Sequence, residues 1–478
     1  MRKTFVACCL LLRCAVSLAA APEPGTVSLD DALRLASAAS GAVQGARLDA
    51  QAQALQAQAL SGLGGPSLSL TGFVGRLSNS VNLDLSQVAE LGSPLLGMAD
   101  AALPSVDLPP IPNALQATRV STLTSVGIGG VWPLYAGGRI EAIQGLAQGR
   151  ADEAQAEQQD SEQQLATQVA QRYFTVQLAQ AASGLRAAAV TGIATHQRDA
   201  LALESAGLIA RVDRLKADLA LDNARRDLAK ARSDEALALL ALQRLLDAPR
   251  ALLPSTPLFV NSQGVGSLDA FVEAGRIHHP AWQKLAAKRE QAAQALALQG
   301  KAGAPTVLAL ANYNLNHGSA KRLQPNWQLG VYVSIPLLSR IDHAQMRDAA
   351  RLQQQRVELS AQQAGRDVPT LIESSWRAME NARAQYVGGG STIALAQENL
   401  RLQRISFQQA HSTSTEVTDA QLALAKSQLE RLQSAHDYVL ALARLLQASG
   451  QPERLPEFAE RADIQLPMNH LLPGAATP

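Results

Sequence analysis

The chain is written twice, and that duplication constrains its fold more than any local feature. Ser28-Leu29-Asp30 recurs as Ser267-Leu268-Asp269 and Pro66 as Pro305, both at an offset of 239. Further along, Trp132-Pro133-Leu134 matches Ile335-Pro336-Leu337, Tyr173 matches Trp376 and Ala217 matches Ala420, all at an offset of 203. Self-similarity of this kind means that one plan of elements is built twice. The drop from 239 to 203 places 36 additional residues in the first copy, between Pro66 and Pro133. They fall in the Pro-, Gly- and Ser-rich stretch Ser78 to Asn113, which reads as a long loop.

Each copy runs helix, strand, loop, strand, very long helix, break, helix. Ile140 to Ser205 repeats Ala, Leu and Gln at helical spacing and predicts a helix of about 100 Å, at 1.5 Å per residue. The equivalent run is Ile341 to Gln409. Helices of that length indicate coiled-coil-like packing, and the aromatic content of 4% argues against wide cores built around large rings. Gly184 and Gly192 in the first run, and Gly388-Gly389-Gly390 in the second, are expected to weaken or bend their helices.

The segment Val307 to Leu315 alternates, with Val307, Ala309, Ala311, Tyr313 and Leu315 on one face and Leu308, Leu310, Asn312 and Asn314 on the other. The pattern resumes as Trp327, Leu329, Val331, Val333 and Ile335 against Gln328, Gly330, Tyr332 and Ser334. The first copy offers Ser67 to Asn79 and Ser121 to Trp132, with weaker alternation and more glycine. Strands of about ten residues with this period suit a transmembrane β-barrel, lipid outside and water inside. A soluble sheet with one buried face alternates in the same way. Four strands between long helices leave open edges, however, and a membrane barrel needs at least about eight strands. Two copies of the chain would give eight and three would give twelve; the arithmetic does not choose. The fold class expected is mainly α with a β-barrel portion completed by oligomerisation.

The formal net charge of +1, with charges interspersed, leaves no basic stripe for nucleic acid. Arg2 and Lys3, the apolar run Phe5 to Leu12 and the small residues Ala19 to Ala21 read as a secretory signal peptide over residues 1–20. Cys8, Cys9 and Cys14 all lie within it, so the exported chain would carry no disulfide. The first repeat then covers 21–248 and the second 267–450, with proline-rich segments at 249–266 and 451–478. Catalytic patterns are missing: Gly388-Gly389-Gly390-Ser391-Thr392 lacks the lysine of a phosphate loop, and no HExxH or paired-cysteine pattern occurs. His278-His279 before Pro280 reads as surface or capping chemistry, and Gly145 and Gly149 form a GxxxG in a mixed polar helix that says little. Neither an enzyme nor a cofactor or metal site is expected.

Pro133-Leu134-Tyr135-Ala136-Gly137-Gly138-Arg139 resembles the strand-to-helix turn of the TolC-like outer-membrane efflux protein family. The proline ends strand pairing and Gly137 and Gly138 permit a sharp change of direction. The second copy keeps Pro336 but lacks the glycines. Gly207 to Asp213 and Ala410 to Ala420 are similar to that family's helix-to-helix tips, and the resemblance runs from about Ser28 to Gly450.

The resemblance implies a homotrimer whose twelve strands form one barrel in the outer membrane, continued by helices as a tunnel through the periplasm. Residues 249–266 and 451–478 would form a collar outside that tunnel. A periplasmic adaptor and an inner-membrane pump would meet the tips, and cargo would pass chemically unchanged. It further implies an acidic entrance at Glu416 and Asp419, with the aromatic Phe407 in the closed state. Carboxylates repeated around a threefold axis would favour cations.

Thr413-Ser414-Thr415-Glu416 equally fits a capping box, and Ser412 stands where the family has a basic partner. Gly207, Leu208, Ile209 and Ala410 are the expected adaptor contacts, although turn chemistry alone also accounts for them. Asn312, Asn314, Gln328 and Ser334 are the expected pore-facing strand residues. The competing readings are a periplasmic coiled-coil structural or adaptor protein without a pore, and a surface adhesin. The second leaves the strand pair in each copy unexplained.

Overall fold

The computed structural model describes residues 25–102, 114–315 and 326–466. The signal-peptide segment and its cysteines, and the last part of the C-terminal segment, lie outside the described residues. The first repeat comprises β1 (Gly25–Val27), α1 (Leu29–Ala39), α2 (Gly41–Ser61), β2 (Ser67–Asp84), α3 (Ser86–Ala102), β3 (Ala114–Tyr135), α4 (Arg139–Ser205) and α5 (Arg211–Leu245). β4 (Leu252–Pro254) and β5 (Leu258–Val260) lead to the second repeat: α6 (Leu268–His278), α7 (Pro280–Gly300), β6 (Thr306–Asn314), β7 (Trp327–Ser334), α8 (His343–Gln408) and α9 (Ser414–Ala448). The short α10 (Leu455–Glu460) and β8 (Ile464–Leu466) follow. Two compact units result: Met1–Gln53, Arg150–Lys288 and Val357–Pro478 in one, Ala54–Gly149 and Arg289–Arg356 in the other.

The duplication is carried into the first unit atom by atom. Ser28 caps α1 by accepting from the Asp31 N–H at 3.1 Å, and Ser267 caps α6 by accepting from the Ala270 N–H. Just before each cap, an aromatic residue of a long helix holds a carbonyl. The Tyr173 hydroxyl donates to the Val27 carbonyl at 2.8 Å, and the Trp376 indole N–H donates to the Gly266 carbonyl at 3.3 Å. These pairs are repeat equivalents, since 376 less 173 is 203 and 266 less 27 is 239. The Tyr173 oxygen also accepts the Thr256 N–H at 2.8 Å. Around it the rings of Tyr173, Phe174, Phe259 and Tyr438 pack edge to face in one chain of contacts. These four aromatic residues gather where the short strands β1 and β5 meet the long helices.

α4 has 67 residues and α8 has 66, and both run unbroken through their glycines. Neither helix is interrupted at them, and at two of them the missing side chain serves packing. A Cβ on Gly192 would stand 2.7 Å from Gln421 Oε1, and one on Gly389 would stand 3.2 Å from the Cγ of Arg431. Arg431 lies with its guanidinium 4.5 Å from the Tyr386 ring centre and donates to the Tyr386 carbonyl at 3.2 Å. Gly192 and Gly389 are therefore places of close approach between helices.

The second unit holds one antiparallel sheet in the order β2-β3-β6-β7, the two repeats joined along β3 and β6. β2 and β3, of 18 and 22 residues, are longer than the strands expected over Ser67 to Asn79 and Ser121 to Trp132. The loop expected over Ser78 to Asn113 is in large part strand and helix: β2 reaches Asp84, α3 occupies Ser86–Ala102, and residues 103–113 lie outside the described part. Pro133 and Tyr135 bracket a bulge, after which Gly137 and Gly138 take φ of 64° and 74°. Ala304 packs against Gly137, and Lys301 Nζ donates to the Gly138 carbonyl at 3.1 Å, so the turn is closed by α7's end. After Pro336, by contrast, Leu337 and Leu338 are 93% and 96% exposed, and Asp342 starts α8 by accepting from the Ala344 and Gln345 N–H groups.

Tyr173→Phe strands the part-buried Thr256 N–H, while the Val27 carbonyl keeps the Ser255 N–H at 2.9 Å, and is expected to cost about 1–3 kcal/mol. Trp376→Phe, at a more exposed contact, should cost less than half as much. Thermal unfolding in detergent followed by circular dichroism checks the order.

Candidate functional site: helical tips and an amphipathic sheet

Both helix-to-helix breaks close in the same way. At the first, Gly207 takes φ of 72°, its N–H bonds the Glu204 carbonyl, and the Leu208 N–H reaches back to the Leu203 carbonyl at 2.9 Å. At the second, Ala410 takes φ of 57°, its N–H bonds the Phe407 carbonyl, and the His411 N–H reaches the Ser406 carbonyl at 2.9 Å. Both are Schellman-type ends, and Ala410 occupies a left-handed position that glycine fills at lower cost. Gly207, Leu208 and Ala410 are exposed, whereas Ile209 packs partly on the apolar cluster at the tips.

The two tips differ in chemistry. In the first hairpin, Arg214 Nε pairs with Glu204 Oε2 at 2.6 Å, its other nitrogen pairs with Asp218, and Gln197 donates to Asp218 Oδ1 at 2.9 Å. Adding 203 to each position gives Leu400, Phe407, Val417 and Gln421 in the second hairpin. There the charged network is replaced by three apolar side chains and by Gln421, whose Oε1 accepts from Arg404 at 2.6 Å. Leu400, Phe407 and Val417 are buried with Ala200, Ala217 and Ala420 of the two hairpins. Phe407 is 1% exposed, placed in the core between hairpins.

His196 of α4 completes this joint. Its ring stands edge-on to Phe407 with centres 4.6 Å apart, and Nε2 lies 2.8 Å from the hydroxyl of the fully buried Ser414. Burial pushes the imidazole below its ordinary value and Arg404 adds to that, while Asp199 and Ser414 oppose it. Sequence reading did not single out His196, Ser414 or Gln421. The available signal was the loss of the repeat at these positions, where Arg211 of the first copy becomes Ser414 in the second.

Glu416 is both cap and exposed anion. Its Oε2 accepts the Thr413 N–H at 2.7 Å, while the Thr413 hydroxyl accepts the Glu416 N–H, a complete capping box at the start of α9. Asp419 is exposed one turn further on, and the Ser412 hydroxyl donates to the Gln403 carbonyl.

In the sheet, register brings the expected polar residues to one face. Asn312 stands opposite Gln328 and Gly129, Asn314 opposite Gly127, and Ser334 opposite Thr306. Ser69 and Thr71 continue that face on β2 through Gly129 and Gly127. The other face carries Leu68, Leu70, Ile128, Trp132, Tyr313, Trp327, Leu329 and Val331, all exposed. No helix among the described residues is long and apolar enough to cross a membrane.

Long paired helical hairpins joined to such a sheet define a TolC-like channel fold. The fold matches that of CusC, whose crystal structures concern folding and transmembrane channel formation, with a TM-score of 0.73 at 16% identity over 91% of this chain and 96% of that one. It also matches the MtrE outer membrane channel of Neisseria gonorrhoeae, TM-score 0.70 at 18% identity over 89% of each chain. A third match is the CmeC outer membrane channel of Campylobacter jejuni, TM-score 0.70 at 12% identity over 91% of this chain and 90% of that one. No curated protein sequence matches the chain. Residues 32–248 match the family described as outer membrane efflux protein. The resemblance drawn from the sequence is thus met by a match to the outer membrane efflux protein family over residues 32–248 and by a fold shared with these channels.

Two predictions concern the tips. Ala410→Gly should stabilise the second tip by about 1 kcal/mol, read as slower hydrogen exchange of its amides. Because His196 is held neutral, the unfolded tip takes up a proton first. The stability its burial allows is therefore complete above pH 6.5, the ordinary imidazole value, and falls as pH drops below it. Exchange of the Val417 amide, corrected for intrinsic rate, should accelerate between pH 7.5 and pH 5, and His196→Gln should remove most of that dependence.

Proposed function

We propose that three copies of this chain close a twelve-stranded barrel in the outer membrane and form a passive export duct, the outer component of a tripartite efflux or type I secretion system. The amphipathic sheet with two open edges carries this reading. Its apolar face suits hydrocarbon, its Ser, Thr, Asn and Gln face suits water, and edges β2 and β7 demand partners that only further copies supply in register. Asn312, Asn314, Gln328 and Ser334 then line the barrel lumen. The tips, with Gly207, Leu208, Ile209 and Ala410 at their ends, face a periplasmic adaptor and an inner-membrane pump. Glu416 and Asp419 form an acidic ring at the entrance, and Phe407 stiffens the closed tip from inside.

Single-channel conductance of the exported form in a planar bilayer tests this. Glu416→Gln with Asp419→Asn removes both charges while leaving the Glu416 position able to accept the capping hydrogen bond. The parent should conduct with cation preference, and the double variant should lose at least half of that preference at low salt, where screening is weak. Channels indifferent to the change would remove the acidic ring and leave the duct; folded protein that never conducts would overturn the duct itself.

A further inference from the structure

The β2–β3 ladder continues far beyond the part of the sheet that β6 and β7 complete. β3 pairs with β6 as far as Gly127 opposite Asn314, whereas β2 and β3 go on pairing from Gly72 opposite Val126 to Asp84 opposite Ala114. Their register has no bulge over all of its rungs, so residues of one parity on β2 stay on one face throughout. In the four-stranded part, the even positions Leu68 and Leu70 lie on the apolar face and the odd positions Ser67, Ser69 and Thr71 on the polar one. From Phe73 onward, Val74 excepted, the assignment reverses. The even positions become Arg76, Ser78, Ser80, Asn82 and Asp84, all exposed. The odd positions include Phe73 and Leu83. Phe73 and Leu83 are 53% and 57% exposed in the single chain, and the Phe73 ring lies over Gly75, where a Cβ would stand 2.6 Å from its Cε1. Val120, opposite Ser78, departs from the rule, and Phe73 stands opposite Ser125.

The face that meets lipid lower down is therefore polar above, as it must be where the hairpin leaves hydrocarbon for water. The face continuous with the lumen turns apolar, which a water-filled mouth does not call for. An apolar face on that side is covered only by what stands across the axis, and in a threefold duct that is the same hairpin of the other two copies. We propose that the extended β2–β3 hairpins of three copies converge through Phe73 and Leu83 into an apolar constriction at the outer mouth, a narrowing that excludes water until cargo parts it. The inference rests on the trimeric duct and assigns a role to the 36 additional residues of the first repeat.

Cysteine scanning tests it, since Cys8, Cys9 and Cys14 all lie in the expected signal peptide. Leu83→Cys and Asn82→Cys are made separately in the full chain, with Phe73→Cys as a second inward position should Leu83→Cys misfold. Purified protein is treated with a short bis-maleimide, and its oligomeric state is measured by light scattering. Leu83→Cys or Phe73→Cys should give cross-linked dimers at least fivefold more readily than Asn82→Cys, and Phe73→Asn with Leu83→Asn should raise single-channel conductance at least twofold. Trimers that conduct but cross-link equally from both faces, or whose conductance ignores the polar pair, overturn the constriction and leave the duct intact. A chain that remains monomeric overturns both.

Discussion

Backbone N–H and C=O groups left unpaired in hydrocarbon cost several kcal/mol each, and this penalty governs how the chain is organised. Four strands are too few to close, so each repeat supplies a pair and the pairs meet along β3 and β6. That seam is narrow on its polar side because glycine sits opposite asparagine. A Cβ on Gly127 would stand 3.2 Å from Asn314 Oδ1 and 3.3 Å from Asn312 Oδ1. Small residues on β3 leave the volume to the amides of β6. The polar face is thereby kept smooth at the point where the two copies of the plan join.

In the helical unit, duplication supplies the scaffold and divergence supplies the specialisation. The cap-and-aromatic bond is kept in both copies, Tyr173 to Val27 and Trp376 to Gly266, because each start of a short helix has to be tied to a long one. At the tips the copies part. The first hairpin is held by the ion-pair network of Glu204, Arg214 and Asp218, which needs no neighbour. The second presents Leu400, Phe407 and Val417, which are stable only when covered, and Ala200, Ala217 and His196 of the first hairpin cover them.

The elements most legible in the sequence were those fixed by long periodic runs. α4 was read to within a residue of Arg139–Ser205, because sixty residues of helical spacing outweigh any single glycine. The alternation of Val307 to Leu315 and Trp327 to Ile335 likewise gave β6 and β7 and the polar face that register confirms for Asn312 and Gln328. The first-repeat strands were read too short for a specific reason. The stretch from Ser78 to Asn113 is rich in Pro, Gly and Ser and reads as loop, although β2 runs on to Asp84 and β3 starts at Ala114. α3 was taken as loop because Gly92, Pro94 and Gly97 look like punctuation, yet the helix runs through Pro94. Gly192 and Gly389 were read as weak points because the residues that need the space, Gln421 and Arg431, are distant in sequence and carry no local mark.

The two readings of Glu416, cap and entrance anion, are not alternatives. The Thr413 N–H occupies one lone pair of the carboxylate and leaves its net charge in place. That same bond fixes the Glu416 rotamer, and the reciprocal bond from the Glu416 N–H holds the Thr413 hydroxyl, so the charge is kept at the start of α9. Asp419 follows three residues later, one helical turn away on the same side. A free side chain would place its charge anywhere within reach, whereas a capped one keeps it at a fixed distance from the tip. If copies of the chain are arranged around an axis, the capping box is what turns scattered surface carboxylates into a ring of defined radius.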